Sequence, residues 1–337
     1  MLVDRLRAQL LSGPPAADAP AVAERLLAIQ AQDGRGARLA IRARSKRLTA
    51  ADVDRSLTER ALVITWLNRG TLHLVRSQDY PWLHALTAPT QLTGVNRRLR
   101  QLGVSEQATD RGVRAVERAL SERGPLTRAQ LADHLERARV PTVGQALIHL
   151  LFLAAQRGVV VRGPVVAGTH AYALARDWLG PPEPVDRDAA LAELARRYLA
   201  GHGPAGERDL ARWAGLPLRD ARAGLAAIAG ALSVRADGLV ELATRGRPRK
   251  LPSPRLLGAF EPVLLGWCSR EQVAGRHEKA LVAGGMFLPF ALVNGRAAGT
   301  WRMRGGQVEV EPFGKLQPAD AAALERDARA VERYLEA

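Results

Sequence analysis

Residues 124–132, Gly-Pro-Leu-Thr-Arg-Ala-Gln-Leu-Ala, and residues 203–211, Gly-Pro-Ala-Gly-Glu-Arg-Asp-Leu-Ala, decide how the rest of the chain is read. Each opens on Gly-Pro, runs five further residues and closes on Leu-Ala. An amphipathic stretch precedes each one. Val113, Val116 and Leu120 share a face before the first, and Leu191, Leu194 and Leu199 mark the second. A proline follows each (Pro141, Pro217), then another helical stretch. A β-rich run closes each copy, at residues 159–172 and 232–242. Helix, short helix, helix and two-stranded hairpin is the order of a winged helix, a variant of the helix-turn-helix. Duplication on this scale predicts two tandem units, at 109–180 and 181–245.

Upstream, residues 3–11 and 21–30 predict helices, and a basic helix follows near Arg35. Residues 62–67 and 71–75 alternate as strands around a turn at Asn68 to Gly70, the wing of a further, more divergent unit over 1–108. Downstream, residues 246–337 combine a basic linker with three strands, 287–293, 297–303 and 308–313. Asn294-Gly295 and Gly305-Gly306 supply the turns. A closing helix over 318–335 would bury Ala322, Leu324, Ala328, Val331 and Leu335. The fold class expected is mostly α with small β elements: three winged-helix units and a C-terminal antiparallel β element.

Composition narrows the function. Apolar residues make up 47% of 337 and aromatics 4%, so the core must rest on Leu, Ala and Val. Formal net charge is +15, which predicts a polyanionic partner. No apolar run is long enough to span a membrane, and Asp4, Arg5 and Arg7 interrupt any leader, so no membrane partner is expected. Cys268 is the lone cysteine, which rules out a disulfide within the chain and a thiolate zinc site. The expected compartment is the cytoplasm, with association to the nucleoid. No nucleotide P-loop is present, and the seven histidines never fall at metal-binding spacing, so neither metal nor cofactor is expected.

One short stretch stands apart from this background. Gln30-Ala31-Gln32-Asp33 follows the apolar residues Leu26, Leu27 and Ile29, and precedes Gly34. With Ala28 it resembles the Gln-apolar-Gln motif of the AlkZ-like, YcaQ-related DNA glycosylases. The resemblance extends through Trp66-Leu67-Asn68-Arg69-Gly70-Thr71-Leu72-His73-Leu74, residues 256–266, and Val293-Asn294-Gly295-Arg296 leading to Gly299-Thr300-Trp301-Arg302. It implies three winged helices in a C-shaped scaffold, with both glutamines facing a DNA channel and the His73 hairpin beside the lesion. Ile64 stands where many relatives have a basic residue, which removes one phosphate contact of that hairpin.

The chemistry is coherent on its own terms. Alkylation at N7 gives a purine a positive charge, so it leaves without much general-acid help. The protein must hold a water near the anomeric carbon and stabilise an oxocarbenium-like sugar. A glutamine oxygen can orient that water although it cannot act as a base. On a regular helix Gln30 and Gln32 would diverge by ~200°, so they converge only where the helix ends. The bland alternative is that both amides cap the helix. Asp33 either stabilises the sugar cation or closes a turn. Thr71 and His73 share a strand face that either meets DNA or is simply surface, and Trp66 belongs to the core.

Arg35, Arg38 and Arg42 fall at helical spacing, and with Arg44, Lys46, Arg47 and Arg69 they suggest phosphate contacts. Arg245-Gly246-Arg247-Pro248-Arg249-Lys250 resembles the AT-hook, whose extended core lies in the minor groove, but also suits a stiff basic linker. The expectation is a monomeric, monofunctional DNA glycosylase acting on double-stranded DNA with N7-alkylated purines, bulky adducts or crosslinks. A non-enzymatic winged-helix regulator is the alternative, separable by its need for a dimer and a palindromic site.

Overall fold

The computed structural model describes residues 1–166, 168–181, 183–243 and 250–336. Arg245, Arg247 and Arg249 therefore lie outside the described residues. The chain forms two compact units, one from residues 1–53 with 191–337 and one from residues 54–190.

The 54–190 unit starts from the hairpin Leu62–Leu67 and Thr71–Arg76, in register from Leu62 opposite Arg76 to Leu67 opposite Thr71. Asn68 (φ 52°) and Gly70 (φ 78°) take the left-handed conformations that so tight a turn needs. Ile64 then pairs with Arg162 of Val160–Val166, which continues into Thr169–Leu174. Helices Tyr80–Thr87, Pro89–Gln101, Glu106–Arg123, Arg128–Arg137 and Ala146–Gln156 pack with this sheet, and the short helix Ala175–Leu179 follows its last strand. Trp66, Leu99, Val116, Leu120, Leu131, Leu135, Leu150, Leu153 and Tyr172 fill its interior. Each such side chain contributes about 1.5–3 kcal/mol of burial. Helix Ala146–Gln156 reads Ala-Leu-Ile-His-Leu-Leu-Phe-Leu-Ala-Ala-Gln, and none of its residues is exposed. A helix apolar on nearly every side must be enclosed.

The duplicated stretches share a local device. Gln130 Oε1 accepts from the Thr127 amide at 2.8 Å, and Asp209 Oδ2 accepts from the Gly206 amide at 3.0 Å. In both copies the third helical residue reaches back to the cap, starting helices Arg128–Arg137 and Glu207–Ala214 at equivalent places.

In the 1–53 and 191–337 unit, helices Leu2–Ala8, Ala19–Leu26 and Gly34–Arg42 precede the second copy of the repeat. That copy comprises Arg187–His202, which spans the boundary between the units, then Glu207–Ala214, Leu218–Ala227 and the hairpin Leu232–Val234 with Val240–Leu242. The C-terminal sheet runs in the order Gln307–Pro312, Arg296–Arg304, Phe290–Val293, Arg255–Leu257, antiparallel throughout. Helix Pro318–Glu336 covers it through Leu324, Ala328, Val331 and Tyr334. The strand expected over 287–293 is two pieces. Met286–Phe287 pairs with Val282–Ala283, and Phe290–Val293 starts the sheet after Pro289, which has no N–H to donate.

The helix expected over 21–30 stops at Leu26. Leu27 sits at φ 64°, ψ −49°, and the Ala28 amide bonds the Leu26 carbonyl at 2.8 Å, a γ-turn that a leucine adopts only under strain of about 1–3 kcal/mol. Complete burial of the Leu27 side chain holds it there. Among the described residues, no helix is long and apolar enough to cross a membrane.

Candidate active site

Past the γ-turn at Leu27, Ile29–Gln30 forms a short strand, and the chain bends at Gln32 and Asp33 before the next helix. In extended backbone, side chains two apart point the same way. Gln30 Nε2 accordingly donates to Gln32 Oε1 at 2.5 Å. The two amides thus meet on a strand-like segment, and not at the frayed end of a helix as the sequence suggested. Gln30 is 6% exposed, whereas Gln32 faces solvent. The inner amide orients the outer one. A carbonyl oxygen has two lone pairs, and Gln30 uses one of those on Gln32.

Asp33 caps helix Gly34–Arg42, its Oδ1 accepting from the Gly36 amide at 2.5 Å. A carboxylate there meets the positive end of the helix dipole. The first turn is pressed against residues 258–259. A Cβ on Gly36 would run into the Ala259 carbonyl, and one on Gly258 would lie 2.9 Å from Gly36 Cα. Only glycine permits this approach. Beside it opens a cavity of about 680 Å³, with Asp33 and Arg35 at its edge and Leu39, Leu288, Trp301 and Val310 among its walls. The sequence reading missed Gly36, Gly258 and Trp301 as parts of this site. The Gly-Arg-Gly spelling at 34–36 was the signal available for it.

The arginine stripe divides. Arg35 is exposed at the cavity. Arg38 donates to the Gly34 carbonyl at 3.2 Å, and Arg42 forms an ion pair with Asp327 at 2.7 Å. Arg44, expected among the phosphate contacts, is instead wholly buried. It pairs with the equally buried Glu261 and also donates to Gln9 O and Ala40 O. A guanidinium out of water needs this complete a set of acceptors. Lys46 and Arg47 are exposed.

In the 54–190 unit, Arg69 and Thr71 are half-buried at the hairpin turn, and His73 is 2% exposed. The neutral His73 imidazole donates from Nδ1 to the Thr71 carbonyl at 2.8 Å. Burial, reinforced by Arg69, pushes its pKa down to about 3, so it meets any partner as a neutral ring. Its strand partner is Thr65, also buried. Trp66 packs with Phe152 and Tyr172 inside the core. The expected residues thus form two groups: Gln30, Gln32, Asp33 and Arg35 in one unit, and Arg69, Thr71 and His73 in the other. Among the described residues, no group of His, Cys, Asp and Glu is placed to hold a metal ion.

Comparison with known proteins gives a consistent result. The sequence model of a family described as DNA glycosylase AlkZ-like matches residues 23–334. The chain is 28% identical to the interstrand DNA cross-link repair glycosylase of Streptomyces sahachiroi over 356 residues, covering 98% of this chain and 94% of that protein. The solved structure of the Streptomyces sahachiroi DNA glycosylase AlkZ superposes with a TM-score of 0.80 at 25% identity, covering 99% of this chain and 95% of that one.

Proposed function

The chain belongs to the AlkZ-like family of DNA glycosylases, and from that premise we propose that it hydrolyses the N-glycosidic bond of N7-alkylated purines in double-stranded DNA. Gln32 accepts a hydrogen bond from the attacking water, and Gln30 fixes the amide that does so. The observation that supports this most directly is the 2.5 Å bond between the two side chains, with the outer one open to solvent. As the bond to the cationic base breaks, positive charge develops on the sugar. The Asp33 carboxylate, immobilised by capping, stabilises that charge without having to reorganise. The water adds at the anomeric carbon, its proton leaves to solvent, and the alkylated base departs neutral.

Arg35 and Arg38 contact phosphate beside the site, and Arg69 and Thr71 approach the duplex from their hairpin, while His73, buried and neutral, holds the Thr71 carbonyl behind them. Arg42 is already engaged by Asp327 and serves the helix first. Residues 1–108, 109–180 and 181–245 are read as three winged-helix units, with 246–337 as basic linker, strands and closing helix. The protein is taken to act as a monomer in the cytoplasm, and the width of its pocket decides between small alkyl groups and bulky adducts or crosslinks. Incubation with duplex DNA containing N7-methylguanine, then with a crosslinked duplex, should yield free base and alkali-labile sites. Absence of both products from both substrates overturns the proposal.

A further inference from the structure

The cavity beside Asp33 has more room than a methyl group on N7 can use. It lies between helix Gly34–Arg42 and strands Arg296–Arg304 and Gln307–Pro312, and its volume of about 680 Å³ is that of a small-molecule site. Its inner wall is rigid. Trp301 is 5% exposed, its indole N–H donates to the Leu257 carbonyl at 2.8 Å, and Leu39 is buried in the same core. The outer wall is apolar as well: Leu288 is 39% exposed, and Met303 and Val310 are half-buried.

Charge separates this cavity from the rest of the surface. The chain carries a formal +15, yet among the described residues the lining holds three carboxylates, on Asp33, Glu309 and Glu311, and two guanidiniums, on Arg35 and Arg302. Arg302 pairs with Glu309 at 2.9 Å, and Asp33 is engaged in its cap. Glu311 stands exposed on the edge strand with no side-chain partner among the described residues. Such a lining gives a phosphate little reason to enter and suits a cation with an apolar flank. An N7-alkylated purine has that character. Its positive charge is spread over the imidazole ring, and N7 is separated only by C8 from N9, the atom that leaves the sugar. A substituent on N7 therefore starts beside the bond being broken, and must find space next to the groups that act there. Asp33 belongs both to those groups and to the edge of the cavity.

Resting on the glycosylase reading, we propose that this cavity receives the substituent carried on N7, and that Leu288, Met303 and Val310 select for a flat aromatic one attached as a monoadduct. A planar ring buries area against Leu288 and Val310 with few rotors to freeze, and the Met303 thioether favours an aromatic neighbour. A methyl group leaves most of the volume unfilled.

The test follows single-turnover release from duplexes carrying either N7-methylguanine or N7-(naphthylmethyl)guanine, with the full chain and the variants Leu288→Ser, Val310→Trp and Leu251→Ser. Leu251 is 43% exposed and outside the cavity lining, so its variant controls for loss of a surface leucine. The quantity read is the ratio of the two release rates, naphthylmethyl over methyl, which cancels any shared effect on catalysis or folded fraction. Removing the apolar outer wall in L288S should lower this ratio about tenfold, the scale on which hydrophobic pockets discriminate. Filling the cavity in V310W should lower it at least as far, and L251S should keep the parental ratio. An unchanged ratio in L288S and V310W overturns the proposal, and so does a parent that releases methylguanine but not the bulkier base. If V310W does not fold, the ratio in L288S, whose side chain is exposed, decides by itself. A parent that releases neither base removes the glycosylase reading, and the proposal with it.

Discussion

Gln30 donates to Gln32 across a single intervening residue, and the bond exists because a strained leucine three residues earlier turns the chain out of its helix. Were the helix to continue through Leu27, the two amides would point to nearly opposite sides. The relationship between Leu27 and the glutamine pair is therefore local geometry put to chemical use.

Replacing either glutamine by alanine should slow single-turnover base release by ~10²–10³. A neutral hydrogen bond contributes about 1 kcal/mol, so the melting curve should move little. Gln32→Glu keeps the size and adds a charge favourable to the sugar cation, and should retain much of the activity. Release at the parental rate in the double alanine variant would refute water positioning by this pair.

Asp33 has two separable duties. Asp33→Ala removes the cap of helix Gly34–Arg42 and should cost about 1 kcal/mol. Asp33→Asn preserves the acceptor and should melt near the parent, yet excise more slowly because the carboxylate charge is gone. Identical melting of the two variants would show that capping is not what Asp33 does.

The buried pair of Arg44 and Glu261 makes a prediction about folding alone. Arg44→Met leaves a carboxylate without its partner inside the protein and should destabilise by about 3–5 kcal/mol in urea unfolding. Arg44→Met/Glu261→Leu should recover most of that loss. A double variant no better than the single would mean that the other acceptors of Arg44, on Gln9 and Ala40, hold the region together.

His73 predicts a pH dependence of stability. Its folded pKa of about 3 lies below the value of about 6.5 expected on unfolding. The unfolded chain therefore takes up a proton that the native state refuses. The contribution is complete above about pH 6.5 and is lost as pH falls toward 3. Between pH 7 and 5 the loss is about 2 kcal/mol, at 1.36 kcal/mol per unit. His73→Gln should flatten this part of the profile. An equal slope in parent and variant would place the acid sensitivity elsewhere.

Much of the fold was legible because it repeats. The Gly-Pro stretches announced their helices, and Gln130 and Asp209 close equivalent caps in the structure. The turns at Asn68 and Asn294 were readable because few residues accept left-handed backbone. Other features depend on distance. Nothing near Arg44 distinguishes it from Lys46 or Arg47, since its partner Glu261 lies 217 residues away. Leu26 to Ile29 reads as helix by composition, and only packing around Leu27 explains why it stops. The glutamines were visible as a pair, but what brings them together was not.

Helix Ala146–Gln156 has a consequence for where such a protein can work. A helix-turn-helix unit usually compares its third helix with the edges of the bases. Helix Ala146–Gln156 carries no Asp, Glu, Lys or Arg and exposes none of its residues fully, which leaves it few side chains to set against a base edge. A helix so placed predicts that undamaged duplexes of unrelated sequence bind with equal affinity, and competition between two such duplexes would check it.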